Sequence, residues 1–380
     1  MNRTRQTSGG FSLVEVLIAL TIGLLLISGM VSVFAGNRQS SELNTAIANM
    51  QESARYALDA IARDIRTAGY QGCLEVQSGA TRIRASNGVP TDDFLASAAT
   101  AAIIGDADVW TPAAPLGFVP ADHEAIPGTH AISLQFGDPD ARQLRAEMSI
   151  AGFPNEAGVI MLESRFPDAN AGDLAIISNC ELADLFAITA TASDGRDLLH
   201  LPLLNGGSGN LSTAYGNERT REQTYVMLFR SNVYYVGDTG QINTEGAAVQ
   251  ALFRQTLPYG DSANNPPTEL VTGIENMRVR FGIRQTGDNL RYVTPDSAEF
   301  DPRRVEAVQI GLLMASRDPI ADDNDDKTYI LAGQSVPPAS DPGSLAPGDP
   351  VPLVGDTHPG DRRYRLAFNT TVKIRNRRFR

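Results

Sequence analysis

The stretch SGGFSLVEVLIALTIGLLLISGM, residues 8–30, decides how this chain begins to fold. A short basic segment precedes it, and Glu15 is the only ionisable residue in residues 11–36. About 20 apolar residues are enough to span a bilayer as an α-helix. The sequence therefore predicts a membrane-spanning helix over residues 11–36. Because basic residues precede the span, its N-terminus is expected in the cytoplasm.

A cleaved secretory signal peptide is the alternative for this segment. Its apolar region would be shorter, and a small-residue cleavage site would follow that region. Here the small pair Gly9-Gly10 comes before the apolar run. The order of these features favours a retained membrane helix.

The helical pattern continues past the membrane segment. Apolar or small residues recur at steps of three and four, which places them on one stripe of an α-helix. They are Leu43, Ile47, Met50, Ala54, Leu58, Ile61, Ile65 and Ala68. Gly69 is suited to cap the C-terminus. The pattern predicts one helix over residues 11–68, with an amphipathic second part (37–69) that packs on a globular head.

Composition narrows the function classes. The chain has 380 residues, of which 42% are hydrophobic, and a formal net charge of −12. An acidic protein has no general electrostatic attraction to nucleic acid, so nucleic-acid binding is not expected. The C-terminal arginines 375, 377, 378 and 380 form a local basic cluster, which is interpreted as a solvated strand end.

The chain contains two cysteines, Cys73 and Cys180. An even pair in a chain with a membrane-directing N-terminus suggests one disulfide in an oxidising compartment, and two unpaired buried thiols are the alternative. The cysteines and the four scattered histidines show no metal-ligand spacing. We therefore expect neither a metal nor another cofactor.

The remainder, residues 70–380, is predicted to form a β-rich head. Short β-type runs separated by turn residues begin at residue 131: 131–136, 158–162, 173–178, 185–189, 225–230, 232–236, 252–255, 276–283, 305–315 and 364–375. Two short helical stretches are predicted near 93–103 and within 269–277. The expected fold class is α+β: a long N-terminal helix packed on a mainly antiparallel β-sheet.

Two regions of the head are predicted to be irregular. They are residues 78–128 and a loop-rich, exposed excursion over 317–362, rich in Pro, Asp and Gly. Within the excursion, Asp322, Asn324 and Asp326 have the alternate spacing of a calcium loop. The glycine and distal glutamate of such a loop are missing, which favours a solvated acidic loop.

No sequence motif for catalysis is present. The chain has no Gly-x-Ser-x-Gly elbow, no His-Glu-x-x-His motif and no phosphate-binding Gly-Lys-Ser/Thr loop. The sequence therefore predicts a protein that is not an enzyme. A helix-anchored periplasmic enzyme or binding protein stays as an alternative. Another is adhesion or DNA capture through Trp110, Tyr234, Tyr235 or the C-terminal arginines, although aromatic residues on strands are more often core.

The segment GGFSLVEVLIAL (9–20) resembles the class III signal of type IV prepilins and the related pseudopilins. The resemblance implies that residues 1–10 are a leader. A prepilin peptidase/methyltransferase would cut it between Gly10 and Phe11 and then N-methylate Phe11. Glu15 matches the family's acidic residue, five positions into the mature chain.

A carboxylate in hydrocarbon needs a partner, because burying it costs about 2.5–3.5 kcal/mol on insertion scales. Cleavage would create that partner, since the new Phe11 amine of one subunit can pair with Glu15 of a neighbour. An acid merely tolerated near the interface is the alternative. Ser28, Ser32 and Gly36 form a small-residue stripe suited to close helix packing, and Gly23 loosens the helix locally.

Scattered blocks of the head resemble the PilW family of minor type IV pilins. The blocks are ARYALDAIARDIRTAGYQGC (54–73), DLAIISNCELADLFAIT (173–189), YVMLFRSNVYYV (225–236), ELVTGIENMRVRFGIR (269–284) and TTVKIRNRR (370–378). The resemblance implies that Cys73 pairs with Cys180. It also implies a location in the inner membrane with the head in the periplasm, and later in the pilus.

The resemblance further implies a set of partners. This subunit would join other minor pilins, of the PilV, PilX, FimU and PilE kinds, and the major pilin, to prime or cap the fibre. A PilY-type tip adhesin is a possible further partner. The inner-membrane assembly platform and a cytoplasmic motor ATPase would supply the work. A tip-proximal type II secretion pseudopilin similar to GspJ is the alternative within the same assembly class.

Overall fold

The computed structural model describes most of the chain in twelve stretches: 12–72, 83–85, 99–104, 110–111, 125–148, 158–180, 183–200, 215–216, 221–256, 266–285, 289–339 and 356–375. It contains one long α-helix and a head made mostly of antiparallel strands, which is the predicted α+β class. The chain divides into two compact units, residues 1–49 and residues 50–380.

The helix α1 (Leu13–Thr67) has 55 residues and ends one residue before the predicted limit. The Ala68 amide still donates to the Asp64 carbonyl at 2.7 Å. Gly69 then adopts a left-handed φ of +74°, which glycine reaches without strain. Its amide donates to the Gln135 carbonyl at 2.7 Å, so the chain passes directly from the helix end onto a strand of the head.

The described strands are, in chain order, β1 (Ile83–Ala85), β2 (Ala99–Ile104), β3 (Trp110–Thr111), β4 (His130–Gly137), β5 (Arg142–Gln143), β6 (Gly158–Met161), β7 (Leu174–Ser178), β8 (Ala183–Ala187), β9 (Ala190–Thr191), β10 (Asp197–His200), β11 (Tyr225–Ile242), β12 (Ala248–Thr256), β13 (Thr268–Thr272), β14 (Ile274–Arg284), β15 (Leu290–Val293), β16 (Val305–Ala315), β17 (Tyr329–Leu331), β18 (Gln334–Val336) and β19 (Arg365–Lys373).

The largest sheet is organised around the 18-residue strand β11. Its main path runs β1-β8-β7-β11-β4-β2-β3. The first part of β11 pairs with β7 and β5, and its last part pairs with β12, which in turn pairs with β13. All of these pairings are antiparallel except that between β1 and β8. A separate three-stranded sheet has the order β6-β10-β9.

A second sheet has the order β15-β14-β16-β19 and is entirely antiparallel. Alternate residues of its strands share one buried cluster with the second part of α1. The cluster includes Ala57, Ile61, Ile65, Met277, Val279, Phe281, Val308, Ile310 and Leu312. Each large apolar side chain buried in this way contributes about 1.5–3 kcal/mol. The packing confirms that the part of the predicted stripe from Met50 to Ala68 faces the head.

Most of the predicted strands are present, and β16 has the predicted bounds. Two predicted strands, 225–230 and 232–236, are one continuous strand. Ser231, which was taken as the break, is buried and lies 3.4 Å from the hydroxyl of Ser133 on β4. A serine with a cross-strand partner does not interrupt a sheet. The strand predicted over 185–189 lies two residues earlier, in β8.

Both predicted short helices are wrong where the structure describes them. Residues 99–104, within the stretch predicted as helix near 93–103, form β2, and residues 93–98 lie outside the described part. Residues 269–277 form β13 and the start of β14, separated by Gly273 with φ +90°. Its amide donates to the Gln250 carbonyl and its carbonyl accepts from Ala315, both at 2.8 Å. The glycine therefore marks a kink between strands.

The described residues of the predicted excursion, 317–339 and 356–362, are not all exposed. The β17–β18 hairpin buries Leu331 and Val336 against Leu313 of β16. Further along, Pro338 bridges to His358, which is also buried. Residues 340–355 lie outside the described part of the chain.

Candidate functional site

Glu15 occupies the first turn of α1, and its amide donates to the Ser12 carbonyl at 3.0 Å. Its side chain is exposed within the described chain. Gly10 and Phe11, the predicted cleavage junction, lie outside the described residues. The pairing of Glu15 with a Phe11 amine therefore stays a prediction.

The first part of α1 presents an apolar surface on every side. Leu13, Leu25 and Phe34 are 75%, 74% and 72% exposed. The other large apolar side chains of residues 13–34 are exposed as well. By length and composition, this helix is able to cross a membrane. A continuous apolar surface of this size needs lipid or other protein around it. It is the part of the molecule best suited to bind neighbouring helices.

Small residues interrupt this surface at the predicted packing positions. A Cβ atom added to Gly23 or Gly36 would meet no other atom within 4 Å. Ser28, Ser32 and Gly36 are exposed, and they lie on one face because they are four residues apart. The face has room for a second helix at close range.

The second part of α1 is attached to the head by a polar anchor as well as by apolar packing. The Asp64 carboxylate accepts hydrogen bonds from the Asn232 amide and the Tyr234 hydroxyl, both at 2.6 Å. Thr256 donates to Asn232 at 2.8 Å. Burial and the Asp64 charge both raise the pKa of Tyr234, so its phenol remains a donor. Sequence reasoning missed this anchor, because Asp64 lies 168 and 170 residues from the side chains that donate to it.

The two tyrosines considered as adhesion contacts, Tyr234 and Tyr235, belong to the core. Tyr234 and Tyr235 are fully buried, and the Tyr235 ring stacks on Phe253 with centroids 5.6 Å apart. The Trp110 side chain and residues 376–380, which hold three of the four C-terminal arginines, lie outside the described part. The tyrosines are therefore excluded as contacts for adhesion or DNA capture.

The predicted disulfide is supported by proximity but is not tested. Cys73 lies outside the described residues, whereas its neighbour Gly72 is described. A Cβ atom on Gly72 would lie 3.5 Å from the hydroxyl of Ser178, two residues before Cys180. The two cysteine-bearing segments thus approach each other, as a Cys73–Cys180 pairing requires.

A buried ionic network, which sequence reasoning missed, joins β14 to β19. Arg365 donates to Glu275 at 2.7 Å and to Asp361 at 2.5 Å, and Arg363 contacts Glu275 at 2.6 Å. Burial alone would raise the pKa of Asp361, but Arg365 and Arg363 outweigh it and lower that pKa. Removing one partner of such a network leaves an uncompensated buried charge. Because Glu275, Arg363 and Arg365 are buried within the head, we assign the network a structural role.

One residue of the acidic run 322–326, Asp325, contacts this network. Asp325, which was not among the calcium-type ligands, accepts from Tyr329 at 2.8 Å and contacts Arg365 at 3.5 Å. Asp322, Asn324 and Asp326 are exposed. No group of three or more His, Cys, Asp or Glu residues in the described chain is arranged to hold a metal.

The two histidines whose side chains are described are buried in the core. Burial, with a smaller contribution from the Arg278 charge, lowers the pKa of His130 from 6.5 to about 3. Its Nδ1 accepts from the Val279 amide at 3.0 Å. Burial also lowers the pKa of His358, whose Nε2 lies 2.8 Å from the Lys327 carbonyl. His123 and the side chain of His200 lie outside the described part.

Two family models match the chain. One, described as type IV pilus-assembly protein W (PilW), matches residues 233–376. The other, described as the prokaryotic N-terminal methylation motif, matches residues 5–31. The first spans the second half of β11 and the whole four-stranded sheet, and the second spans the start of α1. Comparison with curated proteins and with solved structures gave no match.

Proposed function

We propose that this chain is a type IV minor pilin of the PilW family, which its two family matches support, and that it joins other minor pilins to prime or cap pilus assembly. Its contribution is structural and involves no catalysis. The family is a structural component of the pilus, and the priming or capping role is our inference.

The observation that carries this proposal is the form of α1. The helix runs without interruption from an exposed apolar segment into an amphipathic segment, one stripe of which is buried against the head. Glu15 is the only charge in residues 11–36. Such a helix suits a subunit that is stored in the inner membrane and then transferred into a bundle of similar helices.

The mechanism begins with processing between Gly10 and Phe11 by a prepilin peptidase, followed by methylation of Phe11. In the bundle, Glu15 pairs with the Phe11 amine of a neighbouring subunit. Each group is costly alone in hydrocarbon, so their pairing favours assembly and sets the axial register. The small-residue face at Ser28, Ser32 and Gly36 lets the helices approach closely.

The partners follow from this mechanism. They are the peptidase, the other minor pilins and the major pilin, and the inner-membrane assembly platform. The head would lie in the periplasm before assembly, since the span carries basic residues ahead of it. A disulfide between Cys73 and Cys180 would form there and fix the helix end to the head. A PilY-type adhesin is a further candidate partner at the tip.

Deletion of the gene, with complementation by the full chain, tests the proposal. We expect the deletion strain to lose most surface pili and the complemented strain to recover them. Pili of normal number and length that fail to attach or take up DNA would contradict an assembly role and favour a binding protein. Intact pili with a loss of secreted proteins would favour the pseudopilin alternative.

A further inference from the structure

The strand β19 forms one edge of the four-stranded sheet β15-β14-β16-β19, and among the described strands it pairs only with β16. The Ile374 amide donates to the Glu306 carbonyl, and the Ser316 amide donates to the Tyr364 carbonyl, both at 2.8 Å. The register is unbroken between these two bonds. Because bonding alternates along an antiparallel pair, the even-numbered residues of β19 bond to β16. The backbone N–H and C=O groups of its odd-numbered residues point away from the sheet.

The odd-numbered residues of β19 form an open edge. They are Ala367, Asn369, Thr371 and Lys373. All four are exposed, and their backbone amides have no hydrogen-bond partner among the described residues. The open edge ends at Arg375, whose amide donates to the Arg66 carbonyl of α1 at 3.4 Å. It spans residues 367–373, a length of roughly 20 Å. A free edge of this kind is a template for pairing with another chain.

The opposite edge of the same sheet is closed by the protein's own groups. Beyond the short strand β15, the Val279 amide of β14 donates to His130 Nδ1 at 3.0 Å. The Val279 carbonyl accepts from Gln334 Nε2 at 3.4 Å. On β15 itself, Arg291 forms an ion pair with Glu299 at 2.7 Å. Short and charged edges resist further pairing, so this side of the sheet is protected.

The open edge lacks such protection. Residues 366–373 contain no proline and a single charge, and their register with β16 has no bulge. Proteins use these features to prevent unwanted strand pairing. The difference between the two edges of one sheet indicates that β19 is left free for a partner.

Apolar side chains flank the open edge on both sides of the sheet. On the side that faces the core, Leu366 and Phe368 are half-buried and pack against the cluster shared with α1. On the other side, Asn369 holds the β17–β18 hairpin through the Ala332 amide at 2.6 Å and the Ile330 carbonyl at 3.0 Å. The Ile330 side chain is 53% exposed. An added strand with apolar residues at alternate positions would cover this surface.

The end of the open edge is basic. Lys373 and Arg375 are exposed and form no ion pair within the described chain. The acid on the neighbouring strand, Glu306, is buried and already paired with Arg284. Three of the five residues after Arg375 are arginines. A partner strand with an acidic side chain at this end would therefore be favoured.

A second copy of this chain does not fit the open edge. Antiparallel pairing of two β19 strands requires a two-fold axis perpendicular to the sheet. The second part of α1 packs against the head from Met50 to Ala68, so this axis would make the two helices run in opposite directions. Two helices inserted in one membrane from the same side cannot do so. Parallel pairing would turn one sheet over and leave Leu366 and Phe368 uncovered.

We infer that the open edge of β19 binds an extended segment of a different subunit of the fibre by β-strand addition. The segment bonds to the backbone of residues 367–373. It contributes apolar side chains at alternate positions and an acidic side chain beside Lys373 and Arg375. The inference rests on the proposed function, which supplies such neighbours, and it assigns one of them a place on the head.

Proline substitution tests the open edge. Thr371→Pro removes one outward N–H and places a ring in the path of an incoming strand. It leaves the bonds to β16 in place, because Thr371 is an outward residue. Thr371→Ala keeps the N–H and is the matched control. In the gene-deletion strain, we expect Thr371→Pro to restore about tenfold fewer surface pili than Thr371→Ala. Urea unfolding of both variants in micelles checks that they fold.

Photo-crosslinking gives a second measurement that does not depend on the proline variant. The photoreactive residue p-benzoylphenylalanine replaces Thr371 of the full chain in living cells, and mass spectrometry identifies the attached peptide. We expect a segment of a different pilin subunit with apolar residues at alternate positions. Lys373→Glu should lower the yield about threefold, since an exposed ion pair contributes little. The same photoreactive residue at Arg196, which is exposed and outside the open edge, should not capture that segment.

Three results would overturn the inference. They are equal numbers of pili with Thr371→Pro and Thr371→Ala, a crosslink from residue 371 to a second copy of this chain, and no crosslink to another subunit. These results differ from a failure of the proposed function. If deletion of the gene leaves piliation normal, the proposed function is wrong. If the wild-type chain and Thr371→Pro restore pili equally, only the inference is wrong.

Discussion

The two parts of α1 show how one helix is built for two different surroundings. Residues 13–34 are exposed almost throughout, and their apolar side chains occur on every side. Residues 50–67 place a single stripe against the head and charged residues on the other side. An all-round apolar helix requires lipid or similar helices, whereas an amphipathic helix requires one packed face. The difference separates the assembly part of the chain from its folding part.

The largest expected effect concerns the single charge in the assembly part. Glu15→Ala should leave the chain processed but lower its incorporation into fibres by about ten- to a hundredfold. This factor corresponds to the free-energy cost of leaving a buried amine without its carboxylate partner. Immunoblots of sheared fibres and membranes measure the ratio. Glu42→Ala is the matched control, because Glu42 is an exposed acid of the same helix that pairs with Arg38 at 2.9 Å. Equal incorporation of the two variants would contradict the pairing mechanism.

The next effect concerns the end of the folding part. Cys73→Ser should destabilise the head by about 4–5 kcal/mol, the chain-entropy value for a loop of roughly a hundred residues. Urea unfolding of the full chain in micelles, with and without reductant, measures it. Reductant should lower the stability of the wild type and leave the variant unchanged. Identical curves for both proteins would show that no stabilising disulfide is present.

Two isoleucines of α1, one in each part of the helix, allow the assembly part and the folding part to be compared directly. Ile61 is fully buried and Ile27 is 61% exposed. Ile61→Ala should lower the free energy of unfolding by about 2–5 kcal/mol, because it removes core contacts and leaves a cavity. Ile27→Ala should leave the head within about 0.5 kcal/mol of wild type. Similar losses in the two variants would mean that residues 13–49 also stabilise the head.

The polar anchor of the folding part gives a smaller effect. Asp64→Ala leaves the Tyr234 hydroxyl and the Asn232 amide without their acceptor in a buried site. We expect a loss of about 1–3 kcal/mol in the free energy of unfolding. Asp59→Ala, an exposed acid on the same helix, is the control and should change stability little. An equal response to both substitutions would rule out the anchor.

The last effect is a pH dependence that arises in the head. His130 has a folded pKa of about 3, below its unfolded value near 6.5, so its contribution is complete above pH 6.5 and is lost as the pH falls. Stability should fall by up to about 1.4 kcal/mol per pH unit between pH 6 and 4. His130→Gln, which keeps an acceptor for the Val279 amide, should reduce that slope. An unchanged slope would assign it to other groups.

Local signals were sufficient for the elements that local patterning determines. The stripe of apolar and small residues predicted the helix, with a packed face from Met50 to Ala68, and the β-type run 305–315 predicted β16 with its observed bounds. In both cases the hydrophobic period and the flanking turn residues agree.

Elements that depend on distant partners could not be predicted. Gly273 resembled part of a short helix because nothing nearby shows that its backbone bonds to Gln250 and Ala315. The Glu275–Arg365 pair joins residues 90 positions apart, and a single sequence contains no distances. The anchor at Asp64 was missed for the same reason. Long-range polar contacts determine these features. Such contacts exist only once the chain has folded, so the local sequence does not show them.

Mass spectrometry of the N-terminal peptide, from sheared surface fibres and from membranes, tests the central claim most directly. The account predicts a peptide that begins at N-methylated Phe11 in the fibre fraction, at low abundance relative to the major pilin. A chain that retains residues 1–10 and occurs only in membranes would contradict it. That result would reduce α1 to an ordinary anchor and reopen the periplasmic enzyme and binding-protein alternatives.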